Sequence, residues 1–288
     1  MMCPLSNALL APLLGGKRAI QTRWDAARAF APAGAAPVLI YQMGKVGLSS
    51  VYRALRQILH GTPVLHVHFL SPYLAEHRHS HRAEVMRALP YHFYLGAALR
   101  RQLLAKPQHP VKIISLVRDP LAFELSNLLQ NPRLVGGAAR LRELAEQPQA
   151  LRELLQQRLA EGQTYLESRF DREMREVFGI DVFAQAFDSE TGWQIYRHRG
   201  AQLLLIPLED LSAQGPQVIQ QFLGLPEPLS LATANERARL DQGEAYRRFR
   251  QHPGLSREVL NQVYQRRFAQ HFYSDAQRRD LVERWQGL

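Results

Sequence analysis

The chain has 288 residues, 46% of them hydrophobic, and carries 36 Lys and Arg against 26 Asp and Glu. This length buries a substantial core, as one large domain or one domain with an insertion. The single cysteine, Cys3, excludes an internal disulfide and a cysteine-based zinc site, and no apolar run reaches the ~18 residues of a membrane span. A formal net charge of +10 suits an anionic ligand, a nucleic acid or an acidic membrane surface without choosing among them.

Residues 1–36 read as an Ala- and Pro-rich arm, lying on the domain or flexible. Its apolar stretch Leu9 to Leu14 is too short to span a membrane, and no charged segment precedes it, so no signal peptide is expected. A peripheral membrane contact through this arm stays open. The organised chain begins at Val38-Leu39-Ile40-Tyr41, a short uncharged apolar run that follows Pro37. The run breaks into Gln42-Met43-Gly44-Lys45-Val46-Gly47-Leu48-Ser49-Ser50, and apolar residues then recur at helical spacing from Val51 to Leu59. The pattern predicts strand, phosphate loop, helix. Glycines let the backbone approach an anion, helix N–H groups and the helix dipole favour its charge, and Lys45, Ser49 and Ser50 add donors. Only four of the 36 basic residues are lysines (Lys17, Lys45, Lys106, Lys112), so a lysine inside this loop stands out. The nucleotide-triphosphatase loop has a different order, with four residues between a glycine and a Gly-Lys-Ser/Thr end. Taken alone, a turn of this kind also serves as a plain strand-to-helix joint.

Val64 to Leu70 reads as a second strand that carries His66 and His68 on one face, and Glu76 to Leu104 is helical in pattern with a break at Pro90. Val111 to Val117 is the clearest buried strand. Arg118-Asp119-Pro120 stands at its carboxyl end and opens a helix that runs through Leu129. Ser126 lies eight positions after Arg118. An arginine fork and a serine hydroxyl can grip a phosphate together, although Arg-Asp-Pro also starts many ordinary helices. Residues 136–178 predict two or three helices forming an insertion or lid, Ile180 to Phe183 a short extended piece, and Ala201 to Pro207 another buried strand. A helix from about Ser212 to Leu223 and a charged helical region from Asn235 complete the chain. Alternating strands and helices predict an α/β fold with a mostly parallel sheet covered on both faces, and ligands of such sheets gather at the carboxyl ends of the strands.

The Lys-x-Gly-x-Ser-Ser loop followed by the Arg118–Ser126 pair resembles the two nucleotide motifs of sulfotransferases that use PAPS (3′-phosphoadenosine 5′-phosphosulfate). More narrowly, the chain is similar to the bacterial capsular polysaccharide synthesis, sulfotransferase-like, proteins. That resemblance includes Gln42 to Val51, His66 to Leu70, Leu116 to Asn127, Phe170 to Glu173, Phe178 to Val182, Gly192 to Ile195, Leu205 to Leu211 and His271 to Ser274. It implies a P-loop-like three-layer fold over residues 37–288, with the helical insertion at about 136–178. Lys45, Gly47, Ser49 and Ser50, with the intervening Val46 and Leu48, would hold the 5′-phosphosulfate, and Arg118 and Ser126 the 3′-phosphate. Arg237 and Arg239 are candidates for a further 3′-phosphate contact. Lys45 would stabilise the leaving phosphate. A histidine suits the proton transfer because its pKa lies near neutrality, and His68 is nearer the strand end than His66. Glu124 is a weaker candidate base, and the tract His77 to Arg82 reads as a solvated helix start.

The implied activity is transfer of a sulfuryl group from PAPS to a hydroxyl, in a carbohydrate or cell-envelope glycoconjugate, giving PAP (3′-phosphoadenosine 5′-phosphate). It implies no metal and no specific nucleic acid, and a cytoplasmic site at or away from the inner face of the membrane. The competing readings are a nucleotide-dependent kinase of related fold, against which the position of Lys45 argues, and a non-catalytic basic module that binds nucleic acid or an anionic polymer.

Overall fold

The computed structural model describes residues 19–31, 34–41, 48–71, 91–162, 164–231 and 241–287. Within them one five-stranded sheet has the order β2-β1-β3-β5-β4, with β1 Val38–Tyr41, β2 Val64–Val67, β3 Val111–Val117, β4 Gln194–His198 and β5 Ala201–Pro207. The pairs β1–β2, β1–β3 and β3–β5 are parallel, and β4 runs antiparallel to β5. All four residues of β1 are buried. Successive strand residues face opposite sides, so both faces of the sheet are covered there. The expected mixed α/β architecture with a mostly parallel sheet is therefore observed.

The chain moves from β1 to β2 on one side and then crosses to β3 on the other side of β1. The carboxyl ends of strands at such a reversal are the usual ligand position in open α/β sheets. The register sets Ile40 beside both His66 and Ile114.

The helices Ala138–Glu146, Pro148–Glu161 and Thr164–Phe170 continue into a π-helical turn, Asp171–Arg175. Leu141, Leu144, Leu151, Leu155, Leu159, Phe170 and Met174 on these elements join the same buried cluster as the strands. These helices are thus part of the common core. The helices Asp241–Gln251, Arg257–Tyr264, Arg267–Phe272 and Asp275–Gln286 follow β5 and add Phe249, Tyr264, Phe268, Phe272 and Trp285 to that cluster.

The part of the N-terminal arm that is described lies on the domain, as one of the two expectations had it: residues 19–29 form a helix, and Ala26, Ala29 and Phe30 are buried. Other local features differ from expectation. Ile180 to Phe183 is not extended: Val182–Ala184 is a 3₁₀ turn, started by Asp181, whose carboxylate accepts from Phe183 N at 3.1 Å. The helix after β5 begins at Gly215 rather than Ser212, because Pro216 fits only the first turn. Strand β4 is unanticipated, being a polar edge strand with Tyr196 alone buried. Gly200 in the β4–β5 turn is required by close approach, since a Cβ there would lie 2.5 Å from the carbonyl oxygen of Gln108. No helix among the described residues is long and apolar enough to cross a membrane.

Candidate functional site

Strand β1 ends at Tyr41, and Leu48 is the N-cap of the helix Ser49–Ile58. Lys45, Val46 and Gly47, with the rest of 42–47, lie outside the described residues, as do Arg237, Arg239 and the tract 77–82. Leu48 is fully buried and anchors the helix start, while Val51 and Leu55 fix its inner face. Among the described residues no side chain caps this N-terminus, and its first turn holds no acidic residue. Within that turn no carboxylate therefore offsets the leading N–H groups or the positive end of the helix dipole. Ser49 is half-buried and Ser50 buried in that first turn.

On the other side of β1, Arg118 follows the end of β3. Its Nη2 donates to the Tyr246 hydroxyl at 2.7 Å, and its guanidinium carbon lies 5.5 Å from the centre of the Tyr246 ring. Asp119 N-caps the helix Pro120–Gln130 and accepts from Leu121 N at 3.2 Å. The same buried carboxylate accepts from the Tyr264 hydroxyl and from Trp285 Nε1, each at 2.8 Å. Glu209, after β5, accepts from the Asp119 backbone N–H at 3.0 Å. Burial, then the charge of Asp119, pushes the Glu209 carboxyl above its ordinary pKa. Ser126 is buried on the helix after Arg118, and its Oγ accepts from Gln130 Nε2 at 3.1 Å. Glu124 is also buried, held at 2.6 Å by Arg158.

The third strand end carries histidines. The rings of His66 and His68 are 4.9 Å apart, and His92, on the helix Tyr91–Ala105, lies 5.2 Å from the first and 4.3 Å from the second. Tyr52 packs on His66 at 5.2 Å. Burial, then the neighbouring His92, lowers His66 to a pKa of about 4. Burial also lowers His92. The His66 Nε2 is buried and finds no hydrogen-bond partner among the described residues. The sequence placed His66 and His68 together, whereas His92 comes from the helix Tyr91–Ala105, 24 positions after His68, and no local pattern announces it.

Two further charged residues, from the helical region, sit beneath these strand ends. Glu173 is almost fully buried and accepts from the Tyr41 hydroxyl, from Leu70 N at 2.8 Å, from Ser71 N at 3.0 Å and from Ser71 Oγ at 2.7 Å. It thereby ties the end of β1 to the segment after β2. Burial and the Glu173 charge push the Tyr41 phenol well above its usual range. Arg169 is equally buried, its guanidinium carbon 5.2 Å from the centre of the Tyr41 ring. It donates to the His68 carbonyl oxygen at 3.3 Å and to the Tyr165 hydroxyl at 3.0 Å. Its Nε and Nη2 have no hydrogen-bond partner among the described residues. Sequence reasoning assigned neither residue a role, because Arg and Glu on an Arg- and Glu-rich helix look like a solvated face.

Chemically, the sheet edge offers an uncapped helix start, an arginine and an imidazole cluster at the ends of three adjacent strands. Comparison with known proteins bears on the second half of the chain. No curated protein and no solved structure matches the sequence. Residues 143–274 match the family described as Putative capsular polysaccharide synthesis protein; this span holds Arg169, Glu173, Glu209 and Tyr246, and β1, β2 and β3 precede it.

Proposed function

We propose that the chain is a PAPS-dependent sulfotransferase of P-loop-like fold that sulfates a hydroxyl of a carbohydrate or cell-envelope glycoconjugate. The observation that carries the reading is the adjacency of the Ser49 helix start, Arg118 and His68 at the carboxyl ends of β1, β3 and β2. Neighbouring parallel strands lie roughly 5 Å apart, so the outer two of these ends are about 10 Å apart, the scale of a nucleotide. The acceptor class rests on the family description.

In this mechanism the helix N–H groups, Ser49, Ser50 and Lys45 hold the 5′-phosphosulfate, with Val46, Gly47 and Leu48 lending backbone. Arg118 and Ser126 hold the 3′-phosphate. The acceptor oxygen attacks sulfur as the bond from sulfur to the bridging phosphate oxygen breaks. The acceptor proton passes to His68, and the electron pair of the broken bond leaves on PAP. Lys45 offsets the charge that develops on the bridging and sulfuryl oxygens. Catalysis of this kind is positioning plus neutralisation, as in phosphoryl transfer.

Calorimetry with PAP, AMP and ATP, with and without magnesium, tests the reading. A PAPS enzyme holds phosphates at two positions of one ribose, so PAP should bind more than about tenfold tighter than AMP without magnesium. Magnesium-dependent ATP binding with no preference for PAP would instead support a kinase.

A further inference from the structure

We propose that His66, His68 and His92 form a binding site for a divalent transition-metal ion of the zinc class, with a fourth coordination position left to solvent or a ligand. One candidate ligand nitrogen from each ring lies within 4.8 Å of the other two. Zinc–nitrogen bonds of ~2.0–2.1 Å in a tetrahedral arrangement require nitrogens about 3.4 Å apart. Closing the remaining gap takes about 1.4 Å or less, within the reach of ring rotation about broad terminal torsions.

The placement follows from the fold. His66 and His68 stand two apart along one strand and its exit, so both project to the same face. The helix Tyr91–Ala105 packs its first turn beside that face and supplies the third ring. The His92 Nδ1 lies 3.4 Å from the His66 carbonyl oxygen. An Nδ1–H aimed at that oxygen leaves the lone pair on Nε2 and orients the ring, the usual arrangement around a metal-bound histidine. The buried His66 Nε2, which has no hydrogen-bond partner among the described residues, is a destabilising feature of an apolar packing cluster, whereas a shared cation uses it. An all-imidazole donor set selects zinc, cobalt, nickel or copper over magnesium or calcium.

This site does not depend on the sulfotransferase reading, since the three rings converge whatever the segment 42–47 binds. A metal-bound imidazole has no lone pair for a proton, so His68 serves as a base only in the metal-free protein. Binding is therefore measured apart from turnover.

The test uses the full chain, stripped with a chelator and dialysed against zinc or cobalt(II), with bound metal measured by mass spectrometry and visible absorption. One zinc per chain and the intense visible bands of four-coordinate cobalt are expected. His92→Ala and His66→Ala should each weaken zinc binding at least about tenfold. His79→Ala, in the His77 to Arg82 tract, should leave it unchanged. Circular dichroism confirms folding, and His92→Gln serves as a second variant if His92→Ala does not fold. Wild type binding less than a tenth of an equivalent, or folded His92 variants binding zinc as wild type does, would overturn the proposal.

Discussion

Asp119 and Trp285 are joined by a 2.8 Å hydrogen bond although 166 positions separate them in the chain. The residue that follows the candidate anion-binding arginine is thus fastened to the last long helix. Both oxygens of this carboxylate are used, since Oδ1 accepts from Tyr264 and from the start of its own helix. Asp119→Ala should strand two buried donors, at roughly 1–3 kcal/mol each. Urea denaturation should show a loss of about 2–5 kcal/mol, and Asp119→Asn, which keeps an acceptor, a smaller one. Equal stability of the alanine variant and wild type would remove Asp119 as a fastener.

Arg118→Ala should erase most of the preference for PAP over AMP, about tenfold or more, while AMP binding changes little. Tyr246→Phe should weaken PAP binding only a few-fold, because the hydroxyl merely positions the guanidinium. Calorimetry with the two nucleotides measures both effects, and an equal drop in AMP and PAP affinity for Arg118→Ala would contradict a 3′-phosphate role.

Lys45→Ala should lower turnover by roughly two orders of magnitude with the fold intact, because its interactions are strongest in the transition state. His68→Ala should also lower turnover strongly and leave PAP affinity near the wild-type value. PAPS-dependent transfer to a responsive acceptor, together with PAP calorimetry, separates the two steps. His66→Ala, whose ring packs against Tyr52, should act more mildly.

The histidine cluster also predicts how stability varies with pH. His66 is lowered in the folded chain from 6.5 to about 4, chiefly by burial. The unfolded chain therefore takes up the proton first as the solution is acidified. The stability that neutral His66 contributes is fully present above pH 6.5 and is lost as pH falls toward about 4. His92, shifted in the same direction, adds to the loss. In metal-free protein the melting temperature should fall across this window, and His66→Asn should flatten the fall. A melting temperature with the same acid dependence in that variant would exclude His66 as its source.

The parts legible in sequence are those written in local chemistry. Val111 to Val117 and Ala201 to Pro207 are predominantly apolar runs, broken only by Lys112, Ser115 and Gln202, because β3 and β5 are buried almost throughout. Arg118 and Pro120 declare a strand exit and a helix start within three positions. The same rules miss β4, where Gln194 and Arg197 are ordinary for an edge strand that buries only Tyr196. They also miss Glu173, which resembles a surface residue until the fold brings Tyr41, Leu70 and Ser71 to it from over 100 positions away. His92 is hidden for the same reason. A strand histidine and a helix histidine meet only through the way the helix packs, which no spacing encodes.

The long reach from Asp119 has a consequence for synthesis. Ribosomes add ~5–20 residues per second, so the 166 positions between Asp119 and Trp285 take roughly 8–33 s to appear. Throughout that interval the end of β3 is exposed on the nascent chain with its indole partner unmade. Tyr264 emerges late as well, so neither side-chain donor can stabilise early collapse around Arg118. The fastening of the β3 end through Asp119 is consequently completed only when translation has passed Trp285.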